Sequence, residues 1–393
     1  MAWREALIRR FGPGMLGGIS LGDWVQLLRD NRFAVSPGSL VRAVSITGQS
    51  VQNSLLRWIE EERYAVAVRD AVVSPPLFVL GHWRSGTTHL HNLLTADDRF
   101  AFPNNYQAVF PHAFLSMESL HAPLLQWFLP GRRPMDNVEW TMRSPQEDEF
   151  ALCTMTSKSP CMGWSFPDRR DHYDRYLTLR DVGDREVEEW QASLTAYLKR
   201  LTWKYNRPLV LKSPPHTARI QRLLEIFPQA KFVHVHRDPY AVFSSTRKML
   251  TVNFGLHCLQ RPPRDELDLW ILKQYRAMYE AFFDERHSIP AGHYHEVRFE
   301  ELEADPVGQV RRVYEALDLP AFSSTQAAVE RYVGRVDGYR KNQFPEISAD
   351  LRRRIAEEWR FCFEHWGYAV EPALDPPAVE RAALGAGGGL RGR

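Results

Sequence analysis

The chain has 393 residues, 44% of them hydrophobic and 25% charged, which is typical of a globular protein with a large core. Its formal net charge of +2 is too small for a protein whose main partner is duplex nucleic acid, so any anion site must be local. No segment approaches the roughly 18 apolar residues of a transmembrane helix, and no signal sequence is predicted. Four cysteines without a C-x-x-C pair indicate a reducing, cytoplasmic compartment.

The sequence predicts three regions. Residues 1–75 have helical spacing without strand-like runs and form a predicted N-terminal helical extension, in which Leu40 to Ile59 is a packing helix. Residues 76–370 form the main domain. Residues 371–393 are rich in Ala, Gly, Pro and Arg and are predicted to be a disordered tail.

Short apolar runs alternate with helical segments in the main domain. The predicted buried strands are Leu77–Leu80, Leu209–Leu211, Phe232–Val235 and Tyr294–Val297. Helices are predicted over His89–Leu94, Thr217–Ile226 and Tyr240–Leu250, the last one after Asp238-Pro239, which suits an N-cap followed by a first-turn proline. This alternation predicts an α/β fold, a parallel sheet flanked by helices with ligands beyond the carboxyl ends of the strands.

The run Gly81-His82-Trp83-Arg84-Ser85-Gly86-Thr87-Thr88 has the form of a phosphate-binding loop between a strand and a helix. Its spacing matches G-x-x-x-x-G-K-[ST], but Thr87 replaces the lysine that contacts the terminal phosphates of a nucleoside triphosphate. The cation of the loop is Arg84. Backbone N–H groups, three hydroxyls and a helix N-terminus can hold one phosphate there without magnesium, so the sequence predicts a P-loop-like cradle.

Further cations follow other predicted strand ends. Arg237 ends the third strand, with Ser245 two turns into the next helix, and Lys212 ends the second strand. Gly338-Tyr339-Arg340-Lys341 places two adjacent cations in a predicted loop. These cations suit phosphate contacts, but an ion pair of Arg237 with Asp238 and a solvated basic turn at Arg340 and Lys341 are the structural alternatives.

These motifs resemble those of the sulfotransferases that use 3′-phosphoadenosine 5′-phosphosulfate (PAPS) as donor, especially the broad, largely bacterial branch of that family. The resemblance covers Pro76 to Tyr368. It implies that Arg84-Ser85-Gly86-Thr87-Thr88 hold the 5′-phosphosulfate, that Arg237 and Ser245 hold the 3′-phosphate, and that Arg340 and Lys341 cover it. The segment Val297 to Leu302, followed by Asp305-Pro306, also looks like the family's strand and helix after the core.

The resemblance also implies the reaction. It predicts in-line transfer of a sulfuryl group from PAPS, as a co-substrate and without a metal, to a hydroxyl or amine of a small-molecule, glycan or lipid-type acceptor. Lys212 matches the family's strand-end lysine, which implies stabilisation of the transition state. Two departures leave roles open: His89 stands where the cytosolic enzymes stack a tryptophan on adenine, and Pro214 stands where they carry their basic histidine.

The general base has several candidates. Glu147, Asp148 and Glu149 form the densest acidic cluster upstream of Lys212, and His216 follows the same strand. The cluster also suits a helix start, with Ser144 as N-cap, proline next and Glu147 three residues after the cap.

Histidines and aromatic residues have two interpretations each. His82, His234 and His236 share neighbouring strand ends; we favour packed histidines over a zinc site, because no cysteine or carboxylate stands at ligand spacing. The aromatic side chains upstream of the acidic cluster belong to the core or line an apolar acceptor pocket: Phe110, Phe114, Trp127 and Phe128.

Two other functions compete with sulfuryl transfer. A nucleotide-dependent kinase or GTPase would need a lysine at position 87, and a nucleotide-binding module without catalysis would not need Lys212. The acceptor, the oligomeric state and contact of the first 60 residues with a membrane are not determined by the sequence.

Overall fold

The computed structural model of the protein describes residues 8, 10–129, 131–133, 135–262, 266–336, 338 and 346–370. Its sheet consists of four strands: β1 (Leu77–Leu80), β2 (Val210–Lys212), β3 (Lys231–His236) and β4 (Tyr294–Arg298). They lie in the order β2-β1-β3-β4, and all neighbours are parallel. The predicted α/β fold with a parallel sheet is therefore confirmed, and each strand lies within a residue or two of its predicted run.

Helices connect the strands and cover both faces of the sheet. Upstream of β2 they are α1 (Leu21–Asp30), α2 (Leu40–Arg69), α3 (Thr87–Leu94), α4 (Asn105–Val109), α5 (Phe114–Phe128), α6 (Glu149–Thr156), α7 (Met162–Ser165), α8 (Arg170–Asp174) and α9 (Asp184–Tyr205). Downstream they are α10 (Ile220–Ile226), α11 (Pro239–His257), α12 (Leu267–Glu285), α13 (Phe299–Ala304), α14 (Pro306–Ala316), α15 (Gln326–Val336), α16 (Ala349–Glu358) and α17 (Arg360–Trp366).

The sheet separates two hydrophobic clusters, because successive side chains of a strand point to opposite faces. Phe78, Leu211 and Phe232 contribute to the larger cluster, where the Phe78 and Phe232 rings stack at 5.6 Å. Val79 and Val233 contribute to the smaller one, under α3 and α14. Burial on both faces explains why the central strands are continuous apolar runs.

The N-terminal helices share the larger cluster. Trp24 of α1 is fully buried, and its indole N–H donates to Thr47 of α2 at 2.9 Å. Asn31 donates to the hydroxyl of Tyr173 at 2.6 Å, more than a hundred residues along the chain. This extension therefore packs against the main domain. None of the described helices combines the length and the apolar character needed to cross a bilayer.

Three local predictions have different outcomes. Asp238 caps α11 by accepting a hydrogen bond from Ala241 N at 2.8 Å, as predicted. The helix predicted over Thr217–Ile226 is instead a short 3-10 turn, Pro214–Ala218, followed by α10. The predicted helix start at Ser144 is wrong: α6 begins at Glu149, and the Ser144 hydroxyl accepts from Thr141 N at 3.2 Å. The acids of this cluster are held by partners on other elements instead of by their own helix.

Candidate active site

The loop between β1 and α3 is held in one conformation by hydrogen bonds and by glycine. Gly81 N donates to Thr217 Oγ1 at 2.7 Å, and Ser85 Oγ donates to His82 O at 2.8 Å. Gly86 has φ of +103°, and a Cβ there would lie 2.2 Å from the Phe299 ring. Because α3 starts at Thr87, its free N–H groups lie beside this loop.

Arg84 joins the loop to α11. Its Nε donates to Ser245 Oγ at 2.8 Å, and Arg237 Nη1 donates to Arg84 O at 3.3 Å. The Arg237 guanidinium lies over the Phe299 ring at 4.3 Å from the centroid. The structure thus brings the three predicted phosphate-binding side chains Arg84, Arg237 and Ser245 into one cluster.

Asp136 balances part of this positive charge. It accepts from Arg84 Nη1 at 2.6 Å and from Arg133 Nη2 at 2.7 Å. Burial alone would raise the pKa of Asp136, but the two arginines outweigh burial and hold that pKa below its usual value. Two guanidinium groups, those of Arg84 and Arg133, pair with this one carboxylate, which leaves a surplus of positive charge for an anionic ligand.

Lys212, at the carboxyl end of β2, forms a buried ion pair. Its Nζ donates to Glu147 Oε1 at 2.6 Å, and the two side chains are 2% and 11% exposed. Burial lowers the pKa of Lys212, and the charge of Glu147 partly offsets that effect. Among the described residues, nothing donates a hydrogen bond to Glu147 Oε2. A cation and a free acceptor atom therefore lie side by side.

The neighbouring acids have other partners. Asp148 accepts from Ser213 Oγ at 2.8 Å, and its other oxygen lies 2.6 Å from His216 Nε2. Burial raises the pKa of Asp148, but His216 outweighs it and holds the pKa below its usual value. Glu149 pairs with Arg219 at 2.7 Å. All of these side chains are fully buried, so only Glu147 of the three acids is next to Lys212 and partly accessible.

A sequence model of the sulfotransferase family matches residues 75–324, which contain the loop, Lys212 and the Arg237–Ser245 pair. The chain belongs to the sulfotransferase family. It is 36% identical over 381 residues to the omega-hydroxy-beta-dihydromenaquinone-9 sulfotransferases Stf3 of Mycobacterium bovis and Mycobacterium tuberculosis, and the match covers 96% of each chain.

Solved sulfotransferases share the fold. Sulfotransferase STF9 from Mycobacterium avium is similar with a TM-score of 0.69 and 21% identity, over 88% of this chain and 91% of that chain. Sulfotransferase STF1 from Mycobacterium tuberculosis is similar with a TM-score of 0.64 and 18% identity, over 86% of this chain and 91% of that chain. At this identity, the likeness concerns the fold alone.

A cavity of about 980 Å³ lies beside the phosphate loop of this sulfotransferase. Its lining includes Arg84, Thr88, Arg237 and Ser245. Gln146, which precedes Glu147, also lines it. Lys212 and Glu147 are not among the described residues that line the cavity.

Other predicted residues have varied positions. Gly86, Thr87 and His89 line the cavity, and Ser85 is buried in the loop. Gly338 lines it as well, whereas Arg340 and Lys341 lie outside the described residues. Phe114 is buried against Tyr197, and Trp127 is 58% exposed; within the described part of the chain, neither lines the cavity.

The three histidines make separate hydrogen bonds. His82 Nδ1 lies 2.8 Å from Trp83 O, His234 Nδ1 lies 2.9 Å from Glu296 Oε1, and His236 Nδ1 lies 3.0 Å from the Tyr368 hydroxyl. Burial lowers the pKa of His82 to about 4 and that of His236 to about 3, so both rings are neutral at physiological pH. In the described ranges, no group of three possible ligands is arranged to hold a metal ion.

Sequence reasoning missed Arg133, Asp136 and Phe299. Arg132-Arg133 directly follow Gly131, and Arg340-Lys341 follow Gly338 with one residue between, so adjacent cations near a glycine were the available signal. Asp136 and Phe299 have no such signal, because an isolated acid and an isolated aromatic residue occur at many positions that have no function.

Proposed function

We propose that this sulfotransferase takes PAPS as its donor and transfers the sulfuryl group to an acceptor hydroxyl by in-line displacement. One observation carries the proposal: Arg84, Arg237 and Ser245 converge next to a phosphate loop that has threonine in place of the triphosphate-binding lysine. The N–H groups at the start of α3 and the side chains of Arg237 and Ser245 are two anion-binding groups joined by Arg84, and they suit the two phosphate ends of PAPS.

In the proposed reaction, the acceptor oxygen attacks sulfur while the bond between sulfur and the 5′-phosphate oxygen breaks. Adenosine 3′,5′-bisphosphate (PAP) leaves with the bonding electron pair, and Lys212 stabilises the charge on its phosphate. The acceptor proton passes to Glu147, whose Oε2 is buried beside Lys212 and receives no hydrogen bond from a described residue. Because neither side chain lines the cavity in the ligand-free structure, this step requires the bound substrates to open the Lys212–Glu147 pair toward the cavity. Asp148 and His216, both fully buried and bonded to each other, are positioning residues that hold the segments carrying Glu147 and Lys212.

We propose a lipid-type alcohol as the acceptor. The support is the relatives of 36% identity over almost the whole chain, whose names give omega-hydroxy-beta-dihydromenaquinone-9 as the substrate. The four cysteines are buried free thiols, which supports a cytoplasmic location.

Thermal unfolding with ligands tests the donor. PAP is expected to raise the Tm of the wild-type protein more than ATP with Mg²⁺ does, and Arg237→Ala should remove that shift because it deletes a cation of the cluster. A larger shift with ATP and Mg²⁺ would support the kinase alternative and contradict the proposal.

Turnover of labelled PAPS with a set of long-chain alcohols tests the mechanism. Lys212→Ala is expected to lower kcat by about 10²- to 10³-fold, which is typical for loss of one preorganised donor. The matched control is Lys273→Ala, at an exposed lysine of α12. Full turnover of Lys212→Ala would exclude the role assigned to Lys212.

A further inference from the structure

One face of α5 exposes apolar side chains and no charge. The exposed residues of this helix are Ser119, Leu120, Pro123, Leu124, Trp127 and Phe128. Leu120, Leu124 and Trp127 are 63%, 66% and 58% exposed, and their spacing of four and three residues places them in one stripe. We call Leu120, Leu124, Trp127 and Phe128 the α5 ridge. Contiguous apolar surface of this kind marks an interaction site.

The opposite face of α5 is fixed to the protein. Phe114 is fully buried, and Glu118 accepts from Asn104 Nδ2 at 2.6 Å and from Gln107 Nε2 at 2.8 Å. The buried Glu60 of α2 accepts from Ser116 N at 3.0 Å. The ridge is therefore presented by an anchored helix and does not need to order when it meets a partner.

The C-terminal end of the ridge is close to the cavity along the chain. Phe128 ends α5, and Gly131, which lines the cavity, follows three residues later, so at most about 11 Å of chain separates them. Gly131 and Trp140 lie close together, with Trp140 N donating to Gly131 O at 2.9 Å. Between them in sequence, Arg133 contacts Asp136, which also contacts Arg84 of the phosphate loop. The apolar surface thus adjoins the substrate site.

Charge around the ridge favours an anionic surface. Arg132 follows Phe128 by four residues, and Met142, which precedes Arg143, donates its N–H to Gln126 Oε1 of α5 at 2.7 Å. Among the described residues from 131 to 143, the exposed charged side chains are Arg132, Glu139 and Arg143. Arginines next to exposed Trp and Phe side chains are typical of protein surfaces that lie in the headgroup region of a bilayer. The exposed apolar stripe of α2 differs in place, because no described residue of α2 lines the cavity. Its exposed charges have both signs: Glu61 and Glu62 lie beside Arg63.

We propose that the α5 ridge docks on the surface of an anionic phospholipid bilayer. Trp127 and Phe128 then lie at the membrane–water interface beside the cavity, and Arg132 and Arg143 face the phosphate headgroups. A lipid-type alcohol can pass from the bilayer to the cavity without crossing water. This last step rests on the proposed function, whereas the docking itself does not.

Sedimentation with vesicles of phosphatidylcholine and phosphatidylglycerol tests the docking. The wild-type protein is expected to sediment with them, less so with phosphatidylcholine alone or at high salt. Leu124→Ser/Trp127→Ser should lower the affinity about a hundredfold, because two apolar side chains no longer enter the interface. The matched control is Trp58→Ser on α2, at a tryptophan that is 60% exposed, and it should bind like the wild type.

Three results would overturn the proposal. The first is that the wild-type protein does not sediment with anionic vesicles. The second is that the control variant loses vesicle binding while the ridge variant keeps it. The third is that the vesicles have no effect and the ridge variant abolishes self-association, which would make a second copy of the chain the partner. The PAP-induced rise in Tm should be the same in the ridge variant and the wild type. Vesicle binding without a PAP response would contradict the donor assignment and leave the docking intact.

Discussion

The pair Lys212–Glu147 allows a stability prediction that is independent of turnover. The two charged atoms are 2.6 Å apart, and the side chains are 2% and 11% exposed. Removing one partner from such a pair leaves the other charge buried without compensation, which costs about 3–5 kcal/mol of unfolding free energy. We therefore expect Lys212→Met and Glu147→Gln each to destabilise the ligand-free protein by about 3 kcal/mol, near the lower limit because Glu147 is partly accessible.

The double variant separates pairing from packing. Lys212→Met/Glu147→Gln leaves no unpaired charge, so its destabilisation should be about 2 kcal/mol smaller than the sum of the two single effects. Urea unfolding followed by tryptophan fluorescence measures all three variants against the wild type. Effects that add to within about 0.5 kcal/mol would show that the two groups do not depend on each other and would refute this reasoning.

The remaining predictions concern other buried groups. Burial raises the pKa of Glu60 from 4.5 to about 7, so the folded state binds this proton more tightly than the unfolded state, and the free energy of unfolding falls by up to about 3 kcal/mol as the pH rises between these values. Urea unfolding at pH 5 and pH 8 should show a smaller fall in Glu60→Gln than in the wild type. An equal fall in both proteins would contradict the prediction. Glu149→Gln should destabilise by about 3–5 kcal/mol because Arg219 is fully buried, and a change below about 1 kcal/mol would contradict the pairing. Gly86→Ala should cost about 1–3 kcal/mol and weaken the PAP-induced rise in Tm, whereas Gly48→Ala, on the exposed side of α2, should stabilise slightly.

Much of the site follows from local patterns. The phosphate loop, Lys212 and the Arg237–Ser245 pair each stand at a strand end, and parallel strands bring their carboxyl ends to one edge of the sheet. Their proximity was therefore predictable from spacing alone. The acidic cluster was not, because a capping box and a set of long-range ion pairs have the same sequence pattern. The structure has the long-range ion pairs: Glu147 and Glu149 contact Lys212 and Arg219, which lie 65 and 70 residues further along the chain.

The parallel sheet and the loop after β1 could be predicted from local patterns, because strand periodicity and glycine positions are set within a few residues. The family followed from the resemblance of the motifs at Arg84–Thr88, Arg237 and Ser245. The folded chain was needed to show that Glu147 lies beside Lys212, that Asp136 joins Arg84 to Arg133, and that α5 presents an apolar ridge. These contacts and this exposed ridge depend on which side chains stay outside the core once the helices and strands have packed together. A single chain position does not reveal whether its side chain faces a partner, a cavity or water.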